Sequence, residues 1–176
     1  DGAIHGSIST CDGFPAIVQK LMGAKIMAIR QTLEINDEAT MQRALAAVRA
    51  AGRIQLCGVG ASSLVARDFS YKLQKLGRPV LYDADSHIQM AHASSLGLSD
   101  LMIAISYSGR SLETLRAAQT AQARGVPLVT ITGLHENPLA ALTPLRLHLV
   151  ADETAARSSA STWAIWPISS ASRCCR

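Results

Sequence analysis

Aromatic residues are scarce in this chain: they make up 4% of its 176 residues. A core without them is filled by Ala, Leu, Ile and Val. Such residues suit helices packed on a parallel sheet, where β-branched side chains fill strands and Ala permits close helix approach. Charge is also sparse, at 17% against 48% hydrophobic. That balance excludes a disordered chain. The formal net charge is +4, yet Lys and Arg are scattered and form no run. A nucleic-acid surface clusters them to neutralise phosphates, so here they read as a solvated surface. No apolar stretch reaches membrane-spanning length and the N-terminus lacks a signal-peptide pattern, so the expectation is a cytoplasmic protein with no membrane partner. The four cysteines, Cys11, Cys57, Cys174 and Cys175, include no C-x-x-C pair. No metal site and no cofactor are therefore expected. Cys57 lies in an apolar run and reads as a buried small hydrophobe. The length fits one domain with a sizeable core.

Along the chain, residues 1–12 are rich in Gly, Ser and Thr and read as a loose tail. Phe14, Ile17, Val18, Leu21, Met22, Ile26, Ile29 and Leu33 then recur at helical spacing. A second helix follows, with Asn36 as its N-cap, Asp37 and Glu38 in the first turn, and Met41, Ala44, Leu45 and Val48 on the buried face. Gly52 stops it. From there the pattern becomes strand, turn, helix. Strands are expected at 53–57, 79–82, 101–105, 127–132 and 145–150. Helices are expected at 63–76, 85–96 and 112–124, with a short one at 138–142. Short apolar strands alternating with amphipathic helices imply an α/β fold: a doubly wound, five-stranded parallel sheet flanked by helices. Residues 160–176 break the pattern, with both tryptophans, Pro167 and the Cys174–Cys175 pair. This tail reads as the product of a frameshift, an ordinary variable tail being the alternative.

Ligands of such sheets bind where strand order reverses, in turns leaving the carboxyl ends of strands. Two turns stand out. The first is Gly58-Val59-Gly60-Ala61-Ser62-Ser63. Its glycines let backbone approach a ligand, and the helix start offers free N–H groups and a positive dipole end. The plain alternative is a tight turn with a serine cap. A dinucleotide fingerprint would need a third glycine at Ser63, with Asp83 or Asp85 as the acidic partner, and the mismatch weakens it. The second turn is Ser106-Tyr107-Ser108-Gly109-Arg110-Ser111. Three hydroxyls and a glycine before a helix make a neutral phosphate cradle, more hydroxyl than a structural turn needs. In the order 2-1-3-4-5 both turns face one crevice.

These turns, with Ala66-Arg67-Asp68, Lys72-Leu73 and Ala104-Ile105 beside them, resemble the sugar isomerase (SIS) domain. Residues 65–76 and 83–89 narrow the resemblance to the effector domains of RpiR-type bacterial transcription regulators. Within these it is similar to regulators sensing amino-sugar phosphates such as N-acetylmuramic acid 6-phosphate, and to hexose-acid phosphate regulators. The resemblance covers residues 16–159. It implies a flavodoxin-like strand order and a homodimer or higher homo-oligomer. It implies that Ser62, Ser63, Ser106, Ser108 and Ser111 hold the phosphate. It places His87 against the sugar, His92 on a neighbouring turn, and Glu153 in a segment that approaches the ligand in relatives, often from the partner subunit.

The implied organisation has three parts. Residues 1–51 lead from a helix-turn-helix domain absent from this chain, so DNA is reached only through that domain. Residues 52–159 bind the sugar phosphate. Residues 160–176 depart from the family's last helix, which commonly helps build the dimer. The expected function is therefore a sugar-phosphate sensor without catalysis. An aldose–ketose isomerase is the alternative, for which His87 and Glu153 are the candidate bases. The isomerases usually read His-Gly-Asp where this chain has His87-Ile88-Gln89, which favours the sensor. A nucleotide-binding domain is the third reading.

Overall fold

The structure is a computed structural model and describes residues 3–5, 8–9 and 11–151. Glu153 and the tail at 160–176 lie outside the described residues. The first finding is a correction. Within the expected loose tail, β1 (Ala3–His5) and β2 (Ile8–Ser9) pair antiparallel. Asp12 secures the exit of this ribbon: its carboxylate accepts from Ser9 N at 2.7 Å and pairs with Lys20 Nζ at 2.8 Å. The lysine holds the Asp12 carboxyl below its ordinary range. Local polar contacts of this kind leave no hydrophobic pattern to read.

Helix α1 (Phe14–Ile35) follows, then α2 (Glu38–Ala50). The cap of α2 is Asp37, not Asn36. Asp37 accepts from Thr40 N at 2.8 Å, and that bond, with the Thr40 hydroxyl, lowers its carboxyl pKa. Asn36 instead grips the outer edge of the last strand. Its Nδ2 donates to His148 O and its Oδ1 accepts from His148 N, both at 2.8 Å. Two residues on, the Thr32 hydroxyl accepts from Val150 N at 3.0 Å. These side chains satisfy a sheet edge that would otherwise be open for pairing.

The remaining elements alternate as expected: β3 (Ile54–Cys57), α3 (Ala61–Lys75), β4 (Val80–Leu81), α4 (Ser86–Ser95), β5 (Leu101–Ile105), α5 (Leu112–Ala123), β6 (Leu128–Gly133) and β7 (Arg146–Leu149). A 3₁₀ turn at Ala140–Leu142 stands where a short helix was expected. The five long-range strands form one parallel sheet in the order β4-β3-β5-β6-β7, which is the 2-1-3-4-5 arrangement. The central strands are buried along their whole length, as a sheet covered on both faces requires. On one face α2 and α3 lay Ala44, Val48, Val65 and Phe69 over Leu56, Ile103 and Ile131. On the other, α4 and α5 lay Ala93, Leu96, Ala117 and Ala121 over Cys57, Met102 and Ala104. Small Ala side chains on this second face let the helices sit close, in place of the missing aromatics.

Helix α1 behaves differently. Its apolar stripe is present, but Thr32 is the helix's one buried residue. Phe14, Met22, Ile26 and Leu33 are exposed, Phe14 at 78% and Ile26 at 59%.

Candidate functional site

The strand order reverses between β3 and β5, whose ends run in register as Cys57 opposite Ala104. The turns at 58–63 and 106–111 leave these two ends side by side. Their closeness is tight enough to dictate residue type. A Cβ on Gly58 would stand 3.0 Å from Ile105 O and 3.1 Å from Ser62 O, so only glycine passes here without movement of backbone.

In the first turn Gly60 is the cap of α3, with φ +58 and no side-chain capping bond. Ser62 and Ser63 therefore lie inside the first helical turn and neither serves as the cap. Their surroundings differ. Ser63 is buried, and its Oγ sits 2.9 Å from the Tyr82 hydroxyl, which also donates to Ser63 O at 3.0 Å. Ser62 is half-buried, and its hydroxyl has no hydrogen-bond partner among the described residues. So Ser63 ties α3 to the tyrosine that follows β4, while Ser62 lies in the same first turn, beside the free N–H groups of the helix start.

In the second turn Ser106 is buried. Its N–H extends the ladder to Ile131 O at 3.0 Å, and its carbonyl accepts from Gly109 N at 3.0 Å. Its hydroxyl has no partner among the described residues. Ser108 is exposed, with its Oγ accepting from Arg110 N at a long 3.3 Å. Ser111 is the cap of α5. Its hydroxyl lies 3.2 Å from both Glu113 Oε2 and Thr114 Oγ1. Gly109 has φ +63, and a Cβ there would fall 1.9 Å from Asn137 Oδ1. Asn137 is the pillar beneath the turn: it donates to Thr132 Oγ1 at 3.2 Å and accepts from Ala140 N at 2.8 Å. Tyr107 points away, its hydroxyl donating to Ala151 O.

The loop after β4 approaches the same crevice. Asp83 accepts from Asp85 N at 2.8 Å, and Asp85 caps α4 by accepting from His87 N at 2.7 Å. Both carboxylates thus shape the turn into α4. His87 is exposed in the first turn of that helix. His92 is half-buried near its end, with Nδ1 unpaired and enclosed, a turn and more from His87. Beneath the loop lies Gln89, buried and bonded on every side. Its Oε1 accepts from Gly58 N at 3.0 Å and from Cys57 Sγ at 2.9 Å. Its Nε2 donates to Gly58 O at 2.9 Å and to Asp83 O at 2.8 Å. Burial pushes the Cys57 thiol up to about 12, so it stays protonated and acts as a donor, not a nucleophile.

Gln89, Tyr82 and Asn137 were not singled out by sequence reasoning. The signal for Asn137 is weak, a polar residue before Pro138. Gln89 belongs to the His87-Ile88-Gln89 run, but its burial and its partners come only from the fold. A further open cavity of about 600 Å³ lies past Asn137, lined by Leu134, His135, Glu136, Arg146 and His148 among others, and none of the expected site residues borders it. Among the described residues no cluster of three His, Cys, Asp or Glu is placed to hold a metal.

This architecture matches known proteins. The chain aligns at 27% identity and TM-score 0.81 with the Vibrio vulnificus NanR protein complexed with ManNAc-6P, over 93% of this chain and 61% of that one. It therefore spans about three-fifths of the NanR chain. It aligns with the sugar isomerase domain of an RpiR transcription factor from Sphaerobacter thermophilus at 24% identity, TM-score 0.75, covering 92% of this chain and 88% of that one. It also has the fold of phosphoheptose isomerase GmhA from Neisseria gonorrhoeae, at 19% identity and TM-score 0.73, covering 91% and 98% of the two chains. The SIS domain family model matches residues 47–171, from the end of α2 through the whole parallel sheet, and the chain belongs to the SIS domain family.

Proposed function

We propose that this chain is the sugar-phosphate-binding effector domain of a transcription regulator. The observation that carries the reading is the meeting of the two turns at the strand-order reversal. There the hydroxyls of Ser62 and Ser106 lack partners among the described residues, and the exposed Ser108 stands at the rim. A phosphoester dianion fits this setting. It would accept from serine hydroxyls and from the free N–H groups opening α3 and α5, and both helix dipoles favour its charge. Ser62, Ser106, Ser108 and Ser111 hold the phosphate in this reading, while Ser63 supports the turn through Tyr82. His87, exposed at the start of α4, faces the sugar, and Glu153 remains a candidate contact.

Two considerations favour a sensor. The NanR relative, 27% identical, was solved in complex with ManNAc-6P. The sensing mechanism also needs nothing beyond differential binding: a ligand favouring one arrangement of two subunits shifts their equilibrium. The second subunit would sit on α1, whose exposed stripe needs cover. DNA would be reached through a separate domain, and the compartment would be the cytoplasm. Isomerase activity is the second reading, with His87 or Glu153 as the base.

The test is a thermal-shift screen of N-acetylmannosamine 6-phosphate and other sugar phosphates, with nicotinamide nucleotides as controls. A sugar phosphate at 100 times its Kd should stabilise the protein by about 2.7 kcal/mol. A coupled assay for ketose formation should register no turnover. Stabilisation by the nucleotides alone would overturn the proposal, and turnover would transfer it to the isomerase reading.

A further inference from the structure

We infer that Gln89 is a positioning residue that locks the phosphate turn at 58–62 to the sugar-side loop at 83–87, so that the two halves of the crevice form one rigid unit. Its binding half rests on the sugar-phosphate reading above. The primary amide has two N–H donors and an oxygen that accepts twice. All of this capacity is used. Oε1 holds Gly58 N and Cys57 Sγ, and Nε2 holds Gly58 O and Asp83 O. Both polar groups of the Gly58 peptide neighbourhood are thus held by one side chain from another element. That side chain is 2% exposed, so water does not compete for these bonds.

The latch is itself fixed. Gln55 Nε2, from β3, donates to Gln89 O at 2.7 Å, which anchors α4 at the level of the latch. Asp83 O, the latch's far contact, lies two residues before Asp85, whose carboxylate receives His87 N. A displacement of the α4 N-terminus therefore cannot occur without disturbing Gly58, and a displacement of Gly58 cannot occur without disturbing the loop before His87. Ordinary helix cohesion does not ask for this. A leucine would fill the same place against Cys57 and the neighbouring core. What only an amide supplies is simultaneous donation and acceptance between Gly58 and the loop at 83–87, which the neighbouring Ser63–Tyr82 contact does not reach.

Rigid coupling matters for a ligand that touches both loops. A ligand pays the ordering of each loop separately if they move independently, and only once if they are one body. The coupling should therefore favour a sugar phosphate, which reaches both sides, over inorganic phosphate, which reaches one.

The experiment uses the full chain with Gln89→Met and Gln89→Glu. Met keeps the volume and removes every bond, while Glu, held protonated by burial, keeps the accepting contacts and one of the two donating ones. Residue-resolved hydrogen exchange should show Gly58 and its turn exchanging at least about tenfold faster in Gln89→Met, with β5 amides changing less, and a smaller rise in Gln89→Glu. The Kd for N-acetylmannosamine 6-phosphate should weaken about 10- to 100-fold in Gln89→Met. That for inorganic phosphate should weaken less, so the ratio of the two falls, and Gln89→Glu should restore part of the ratio. Exchange at Gly58 within twofold of wild type in both variants would overturn the latch. So would a uniform rise across the sheet, a ratio unchanged in a chain that binds both probes, or failure of both variants to fold. If the wild-type chain binds neither probe, the sugar-phosphate reading fails, and the exchange measurement still decides the latch.

Discussion

Gly109 shows how much of the crevice is set by single residues. Its φ of +63 is a conformation that L side chains rarely adopt, and its missing Cβ leaves the space that Asn137 fills. Replacing it with Ala combines backbone strain with displacement of a buried amide that bonds Thr132 and Ala140. Gly109→Ala should cost about 2–4 kcal/mol in urea unfolding. The serines divide by their partners. Ser62→Ala and Ser106→Ala remove hydroxyls that bond no described residue. They should change stability by less than about 0.5 kcal/mol and reduce sugar-phosphate affinity at least about tenfold by calorimetry. Ser63→Ala breaks the contact with Tyr82. It should do the reverse, costing about 1 kcal/mol of stability with affinity changed little. In the sequence Ser62 and Ser63 are adjacent hydroxyls in one turn. Which of two adjacent helical residues points inward depends on the helix phase and on a tyrosine 19 positions away, and no local pattern records either.

At the scale of elements, α1 separates what periodicity can say from what it cannot. The spacing of Phe14, Val18, Met22, Ile26 and Ile29 specifies an amphipathic helix, and a 22-residue helix forms. Periodicity does not say what the stripe faces, and in the structure these residues are exposed. Helices gain most of their stability from packing an apolar face, and exposed patches of this extent mark interaction surfaces. A second copy of the chain, presenting the same stripe, is the partner proposed. Light scattering should show a dimer at micromolar concentration. Met22→Asp combined with Ile26→Asp should yield a monomer that keeps the circular dichroism of the α/β domain. A monomeric wild type would refute this assignment. The strands were the most legible elements: β5 spans Leu101–Ile105, the range its apolar run indicates. Asn36 was the least legible, since Asn-Asp-Glu offers two caps in a row and the choice fell to Asp37 once β7 claimed the asparagine.

For the molecule as a whole, stability depends on joints between elements, and one of them titrates. Asp100, before β5, is buried and accepts from Arg53 Nη2 at 2.6 Å, from Arg53 N at 3.1 Å and from Gly97 N at 2.9 Å. The arginine holds its carboxyl below the ordinary carboxylate value. A folded-state pKa below the unfolded one stabilises the fold above the unfolded value of about 3.9. That contribution is lost as pH falls through the depressed value. Arg53 is partly exposed, so its share is screened. Asp100→Asn should lose about 1–2 kcal/mol at pH 7, and its unfolding curve should converge on the wild type as pH is lowered below about 4. A gap that stays constant as the pH is lowered from 7 to well below the ordinary carboxylate range would assign the loss to packing instead.

The sequence by itself determined the sheet, its alternating helices and the two serine turns, because hydrophobic period and glycine placement act locally. It also identified the family, through short motifs that sit within one turn each. Only the tertiary structure decided that the turns leave adjacent strand ends with Gly58 against Ile105 O. It decided that Ser63 is engaged by Tyr82 while the Ser62 hydroxyl meets no described partner, that Gln89 joins the two sides of the crevice, and that the α1 stripe faces outward. These depend on contacts between residues far apart in the chain, where the outcome is set by which atoms the fold brings within hydrogen-bond reach and not by what any segment prefers alone.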